Sequence, residues 1–130
     1  MTSEQQEGRL DDGLTILRRV RDYEILVDGN GNQRPSSQAF IQGNPDGNVS
    51  VYLASETTAA RITRDYPATY IAEMEISAVR SQGLEVERDP IQGDPGHCNI
   101  TGRKTRSRAR AIARNSRWAA DYGPPSPLRS

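Results

Sequence analysis

Hydrophobic and polar positions alternate in several short runs, and turn-forming residues separate these runs. Alternation over four to eight residues is typical of β-strands. The strand-like runs lie at 14–20, 23–27, 49–53, 69–79, 84–87 and 97–100. Turn signals rich in Gly, Asn and Asp stand at 28–32 and 43–48, so we expect hairpins in the first half of the chain.

A helix is predicted between the strand-like runs at 49–53 and 69–79. Ser55 is a suitable N-cap, and Pro67 ends the pattern. Between them, Ala59, Ile62 and Tyr66 recur at helical spacing and would face the core.

A second helix is predicted near the carboxyl end, after a turn at Gly102. It would start at Lys104 or Thr105 and place Ala109 and Ile112 on a sheet. Arginines spaced three, four, four and three residues apart would share about a quarter of the helical wheel. They are Arg103, Arg106, Arg110, Arg114 and Arg117.

These elements predict an α+β fold. With 130 residues, we expect a single small domain built on a mainly antiparallel or mixed sheet with two helices, the C-terminal one rich in arginine. We predict a loose N-terminus at 1–9, the domain at 10–120 and a proline-rich tail at 121–130.

The net charge of zero hides a separation of charge along the chain. Residues 1–94 hold 9 basic and 16 acidic side chains, whereas residues 95–130 hold 8 basic and 1 acidic side chain. The overall balance argues against indiscriminate nucleic-acid binding but permits a local basic patch. Guanidinium groups suit such a patch because their planar donors match phosphate and carboxylate oxygens.

The basic segment therefore predicts an anion-binding surface. The unpaired N–H groups that follow Gly102 and the positive end of the helix dipole add to it. The predicted anion-binding residues are Arg103, Lys104, Arg106, Arg110, Arg114 and Arg117. The partner would be a nucleic-acid phosphate backbone or an acidic protein. The alternative is that these cations pair with the chain's own acids.

Other reactive side chains give weaker signals. His97 and Cys98 are neighbours on a predicted strand and would point to opposite faces, which suits neither a nucleophile pair nor a metal site. Glu73 and Glu75 would share one strand face, as paired carboxylates of acid–base catalysis do. Absence of an apolar leader or a membrane-length run predicts a cytoplasmic protein without a membrane contact.

Several short motifs resemble a known family. They are LRRV at 17–20, the Arg- and Phe-containing segment at 34–40, VYLASETTAA at 51–60 and the acidic alternating strand at 69–79. Their order, over residues 14–79, resembles the front half of RES-type domains, which belong to the ADP-ribosyltransferase-like group that binds or degrades NAD. The C-terminal segment resembles small uncharacterised bacterial proteins.

The resemblance implies a nicotinamide cleft lined by Arg18 or Arg19, Tyr52 and Glu56, with Arg34 on the pyrophosphate. Glu56 or Glu75 would polarise the ribose. Ser37 and His97 complete the residues expected near the dinucleotide. NAD would be the ligand, and the activity that of an NAD glycohydrolase, phosphorylase or ADP-ribosyltransferase.

Three functions therefore stay open from the sequence. The arginine pattern favours a binding module for an anionic partner over an enzyme. The alternative is an NAD-processing domain, and a further one is an accessory or immunity-type protein without a small-molecule site. The charge separation between the two parts of the chain would also suit self-association.

Overall fold

The computed structural model describes residues 9–41 and 45–125. Its strands are β1 (Thr15–Val20), β2 (Ile25–Val27), β3 (Gln33–Pro35), β4 (Val49–Leu53), β5 (Tyr70–Glu75), β6 (Glu85–Arg88), β7 (His97–Thr101) and β8 (Arg117–Trp118). Its α-helices are α1 (Ala59–Asp65), α2 (Ile76–Arg80) and α3 (Arg106–Arg114). Two short 3-10 helices span Asp22–Glu24 and Ser37–Phe40.

Six strands form one antiparallel sheet in the order β6-β7-β4-β1-β5-β8. Strands β2 and β3 form a separate antiparallel hairpin. The α+β prediction and the mainly antiparallel sheet are confirmed. The edges of the larger sheet are β6 and β8. Each edge strand carries an arginine that forms ion pairs, Arg88 in β6 and Arg117 in β8.

Both faces of the sheet are covered, so alternate residues of β1 enter different cores. Ile16 and Val20 enter the larger hydrophobic cluster, which includes Ile112 of α3, whereas Leu17 enters a smaller one with Ile62 of α1. The sheet thus separates an α3 side from an α1 side, and any residue of the central strands belongs to only one of them.

Two helices were predicted, whereas the described residues form three α-helices. The run at 69–79 is a strand only to Glu75 and continues as α2. Ile76 and Val79 are the buried residues of α2, and this spacing of three fits a helix turn. The backbone N–H of Ile76 donates to the Leu14 carbonyl, a contact between segments far apart in sequence.

Both predicted helices start later than their sequence patterns indicated. The N-cap of α1 is Thr58, whose hydroxyl accepts the Arg61 N–H at 3.1 Å, and Ser55 lies in the preceding turn. The N-cap of α3 is Thr105, whose hydroxyl accepts the Arg108 N–H at 3.2 Å. In the described ranges no helix has the length and apolar character needed to cross a bilayer.

The predicted domain ends fall partly outside the described residues. Positions 1–8 and 126–130 are not described, so the loose N-terminus and most of the tail stay predictions. The start of the tail is described, and it packs on the domain. Tyr122 joins the smaller cluster, and its carbonyl accepts the Ile71 N–H at 3.0 Å.

Candidate anion-binding groove

Two adjoining cavities follow one side of α3, and together we call them the arginine groove. The larger cavity, about 920 Å³, lies between residues 21–25, residues 36–41 and α3. The smaller cavity, about 280 Å³, lies between residues 34–37 and the last turns of α3. Ser36, Ser37 and Arg110 line both cavities, so the groove has one continuous wall.

Three arginines of α3 line this groove. Arg106 borders the larger cavity, Arg114 the smaller one and Arg110 both. All three side chains are exposed, and none makes an ion pair or hydrogen bond within the described part of the chain. A spacing of four residues separates them by about 6 Å along the helix axis.

The outer two arginines of the predicted row lie outside the helix and have acid partners. Arg103 Nη1 lies 3.0 Å from Asp46 Oδ2. Arg117, in β8, contacts Glu73 at 2.9 Å and Glu75 at 3.0 Å. Pairing with the chain's own acids therefore holds for the two ends of the row, whereas the three α3 arginines between them have no acid partner among the described residues.

Lys104 does not lie in the groove. Its side chain is fully buried, and Nζ donates to the Ile100 carbonyl at 3.3 Å and to the Gly102 carbonyl. Burial lowers the pKa of Lys104. The ammonium group thus secures the turn before α3 and is shielded from any partner in solution.

Arg18 is buried below the groove and fixes its floor. Only 1% of the residue is exposed, and Nε donates to the Ala39 carbonyl at 2.7 Å while Nη1 donates to the Ser50 carbonyl at 2.9 Å. Burial lowers the pKa of Arg18 to about 10, and the charge of Glu24 opposes this shift. Arg18 thus ties the 3-10 helix Ser37–Phe40 to β4.

Only one acid, Glu24, lines the larger cavity among the described residues, and none lines the smaller. Glu24 is 4% exposed. One of its carboxylate oxygens accepts the Arg21 N–H at 2.9 Å, and the other lies 3.8 Å from Arg21 Nη1. The negative charge of Glu24 therefore acts mainly on Arg21 and, at longer range, on Arg18. The net charge of the side chains that line the groove is positive.

The Ser36 hydroxyl is sheltered from solvent at the junction of the two cavities. Its Oγ has no hydrogen-bond partner in the ranges that the structure describes. Its backbone N–H donates to the Glu24 carbonyl at 2.8 Å, which fixes the position of the residue. A sheltered hydroxyl without a partner is costly, so this atom is a natural donor to a bound anion.

The residues implied by the RES-type resemblance do not converge on one cleft. Tyr52 is buried in the smaller cluster on the α1 side, with its ring 5.4 Å from that of His97. Burial raises the pKa of Tyr52. Arg34 lines the smaller cavity beside α3, on the other side of the sheet. Arg19 stacks over the Tyr66 ring at 3.8 Å and lies beside the Tyr52 hydroxyl, so Arg19 and Tyr52 are together on the α1 side, whereas Arg34 is not.

The remaining candidates for NAD chemistry are engaged within the chain. His97 uses both ring nitrogens, to the Asp89 carbonyl at 2.7 Å and the Ser50 hydroxyl at 3.0 Å. Glu56 pairs with Arg88 of β6 at 2.8 Å, and Glu75 pairs with Arg117 of β8. Because β6 and β8 are opposite edges of the sheet, these two carboxylates lie far apart.

Cys98, in β7, is buried in the larger hydrophobic cluster, and burial raises the pKa of its thiol to about 11. Since only the thiolate reacts, we expect thiol reagents to label the native protein at least ~100-fold more slowly than the urea-unfolded protein near neutral pH. Labelling followed by mass spectrometry measures both rates. Equal rates would contradict the buried placement of Cys98.

The described residues contain no cluster of metal-ligating side chains.

Several residues that line the larger cavity were not predicted as site residues, among them Arg21, Tyr23 and Glu24. Tyr23 and Glu24 begin the run at 23–27, whose pattern predicts a strand or a short turn, whereas Asp22–Glu24 forms a 3-10 helix. An aromatic residue between two charged ones, directly after a strand, is the signal that could have marked them.

Comparison of the chain with protein-family models, with curated proteins and with solved structures finds no match. The RES-type resemblance therefore stays a prediction from short motifs.

Proposed function

We propose that this protein binds the phosphodiester backbone of a nucleic-acid strand in the arginine groove. The observation that supports it most is the row formed by Arg106, Arg110 and Arg114, which are exposed and have no acid partner among the described residues. Guanidinium groups bind phosphate through parallel N–H donors, and such charge-assisted hydrogen bonds are strong.

The length of the row favours an extended ligand. From Arg106 to Arg114 the helix rises about 12 Å, and the two cavities follow this direction. A strand in a stacked, duplex-like conformation carries a phosphate about every 3.4 Å along its axis, so every second phosphate would have a spacing close to that of successive arginines.

An aromatic side chain beside the row favours a single strand over an acidic protein. Tyr23 lines the larger cavity with Arg106 and is 70% exposed. Exposed aromatic rings next to cations provide stacking surfaces for unpaired bases, largely without regard to sequence. We therefore expect tighter binding of single-stranded than of duplex oligonucleotides, with little sequence preference.

Salt dependence tests the electrostatic part of this proposal. Three phosphate contacts contribute about −2 to the slope of log K against log salt for a single strand. Affinity should then fall by about 20-fold between roughly 50 and 200 mM salt, as measured by fluorescence anisotropy of a labelled oligonucleotide. No binding at the lower salt concentration would overturn the proposal. Equally strong binding of polyglutamate would replace it by an acidic protein partner.

Reversing one charge locates the site. Arg110→Glu should weaken single-strand binding by about 30- to 100-fold, because it removes a charge-assisted hydrogen bond and adds repulsion in both cavities. Arg108→Glu is the matched control: it makes the same charge change on α3, but Arg108 lies outside both cavities. Similar losses in the two variants would place binding elsewhere.

A further inference from the structure

We infer that the smaller cavity of the arginine groove is a pocket for a phosphate monoester, such as the terminal phosphate of the bound strand. This inference rests on the proposed function and names the part of the ligand that the pocket recognises. Four features of the cavity carry it: its charge, its sheltered hydroxyl, its size and its connection to the larger cavity.

The charge of the smaller cavity exceeds what a diester needs. Arg34 of β3 joins Arg110 and Arg114 of α3 around it, and no acid lines it among the described residues. A phosphodiester carries one negative charge, whereas a monoester carries about −1.5 to −2 at neutral pH and offers three terminal oxygens. Three arginines that line one small cavity match the second better than the first.

Hydroxyl groups provide the matching neutral donors. Ser36 and Ser37 line the smaller cavity, and the Ser36 Oγ is the sheltered atom without a partner in the described ranges. The Ser36 side chain does not cap the 3-10 helix that follows it. The hydroxyl therefore has no internal partner among the described residues, and we assign it to a phosphate bound in this cavity.

The size and surroundings of the smaller cavity suit the terminal phosphate of a nucleic-acid strand. Its volume is about 280 Å³, less than a third of the 920 Å³ of the larger cavity. Leu26, Pro35 and Ala113 provide its apolar lining, so phosphate enters among cations with apolar walls close by. Through Ser36, Ser37 and Arg110 it joins the larger cavity, where the adjoining nucleotides would lie.

Oligonucleotides that differ only at their ends test this inference. We expect a single strand with a phosphate at one end, 5′ or 3′, to bind the full chain about tenfold more tightly or better than the same strand with hydroxyl ends. Arg34→Ala should bring the ratio of the two affinities close to one. Arg106→Ala, which changes only the larger cavity, should lower both affinities and keep the ratio.

The outcomes separate the two proposals. A ratio near one for the unmodified protein, at both ends, overturns the monoester pocket and leaves strand binding intact. Failure of every oligonucleotide to bind overturns the proposed function. If inorganic phosphate then still raises the melting temperature, and Arg34→Ala but not Arg106→Ala abolishes this effect, the pocket is supported with a free phosphate ester as its ligand.

Discussion

Replacing Arg106, Arg110 and Arg114 together by alanine is expected to weaken single-strand binding by at least ~10³-fold at about 50 mM salt. Each arginine would lose a charge-assisted hydrogen bond of about 1.5–3 kcal/mol, and solvent screening of these exposed side chains favours the lower end. A total of about 4 kcal/mol corresponds to the predicted loss. Fluorescence anisotropy with a labelled oligonucleotide measures it.

A triple variant with the same change in net charge provides the control. Arg9, Arg64 and Arg88 are exposed and lie outside both cavities of the groove, so their replacement by alanine should cost about tenfold or less. Alanine favours helix formation, and α3 should therefore stay intact in the groove variant, which circular dichroism can check. Equal losses in the two triple variants would contradict a binding site on α3.

Arg18→Ala is expected to lower the free energy of unfolding by about 3–5 kcal/mol. The substitution removes a large side chain from a buried position and deprives the Ala39 and Ser50 carbonyls of their donors. Since Ala39 belongs to the 3-10 helix at the base of the groove, oligonucleotide binding should weaken as well. Urea unfolding followed by circular dichroism gives the free energy.

Two further variants separate the causes of this loss. Arg18→Met keeps most of the apolar volume, so its smaller cost, about 1–3 kcal/mol, reports the unsatisfied carbonyl groups. Arg19→Ala, on the other face of β1, removes a cation–π contact with Tyr66 and should cost only about 1 kcal/mol. A cost below about 1 kcal/mol for Arg18→Ala would show that the guanidinium group does not hold the groove floor.

Local pattern was sufficient for most of the sheet. The run at 49–53 was predicted as a strand with the bounds that β4 has, because its branched and aromatic residues stand between turn signals. The positions of such strands depend on neighbouring residues. Their pairing does not: in the described part of the chain, only β2–β3 and β6–β7 join consecutive strands, whereas β1–β4, β1–β5, β4–β7 and β5–β8 join distant parts of the chain, and the predicted turn at 43–48 closes no hairpin.

Local pattern was insufficient where two periodicities overlap. Ile76 continues the alternation of β5 and also begins the helical spacing of α2, so the run at 69–79 fits both. The Leu14 and Asp12 carbonyls decide between them by accepting the N–H groups of Ile76 and Ser77. These acceptors lie more than sixty residues earlier in the chain, beyond the reach of any local rule.

The amino-acid sequence alone places positive charge near the carboxyl end, with arginines at helical spacing along α3. Which of these cations have acid partners depends on tertiary contacts. Sheet pairing brings β8 beside β5 and so gives Arg117 its acids, the turn before β4 supplies Asp46 to Arg103, and Lys104 is turned inward. An ion pair needs its partners within about 4 Å. Here the partners that meet this condition are separated by 42 to 57 positions in the sequence, so no local pattern reveals them.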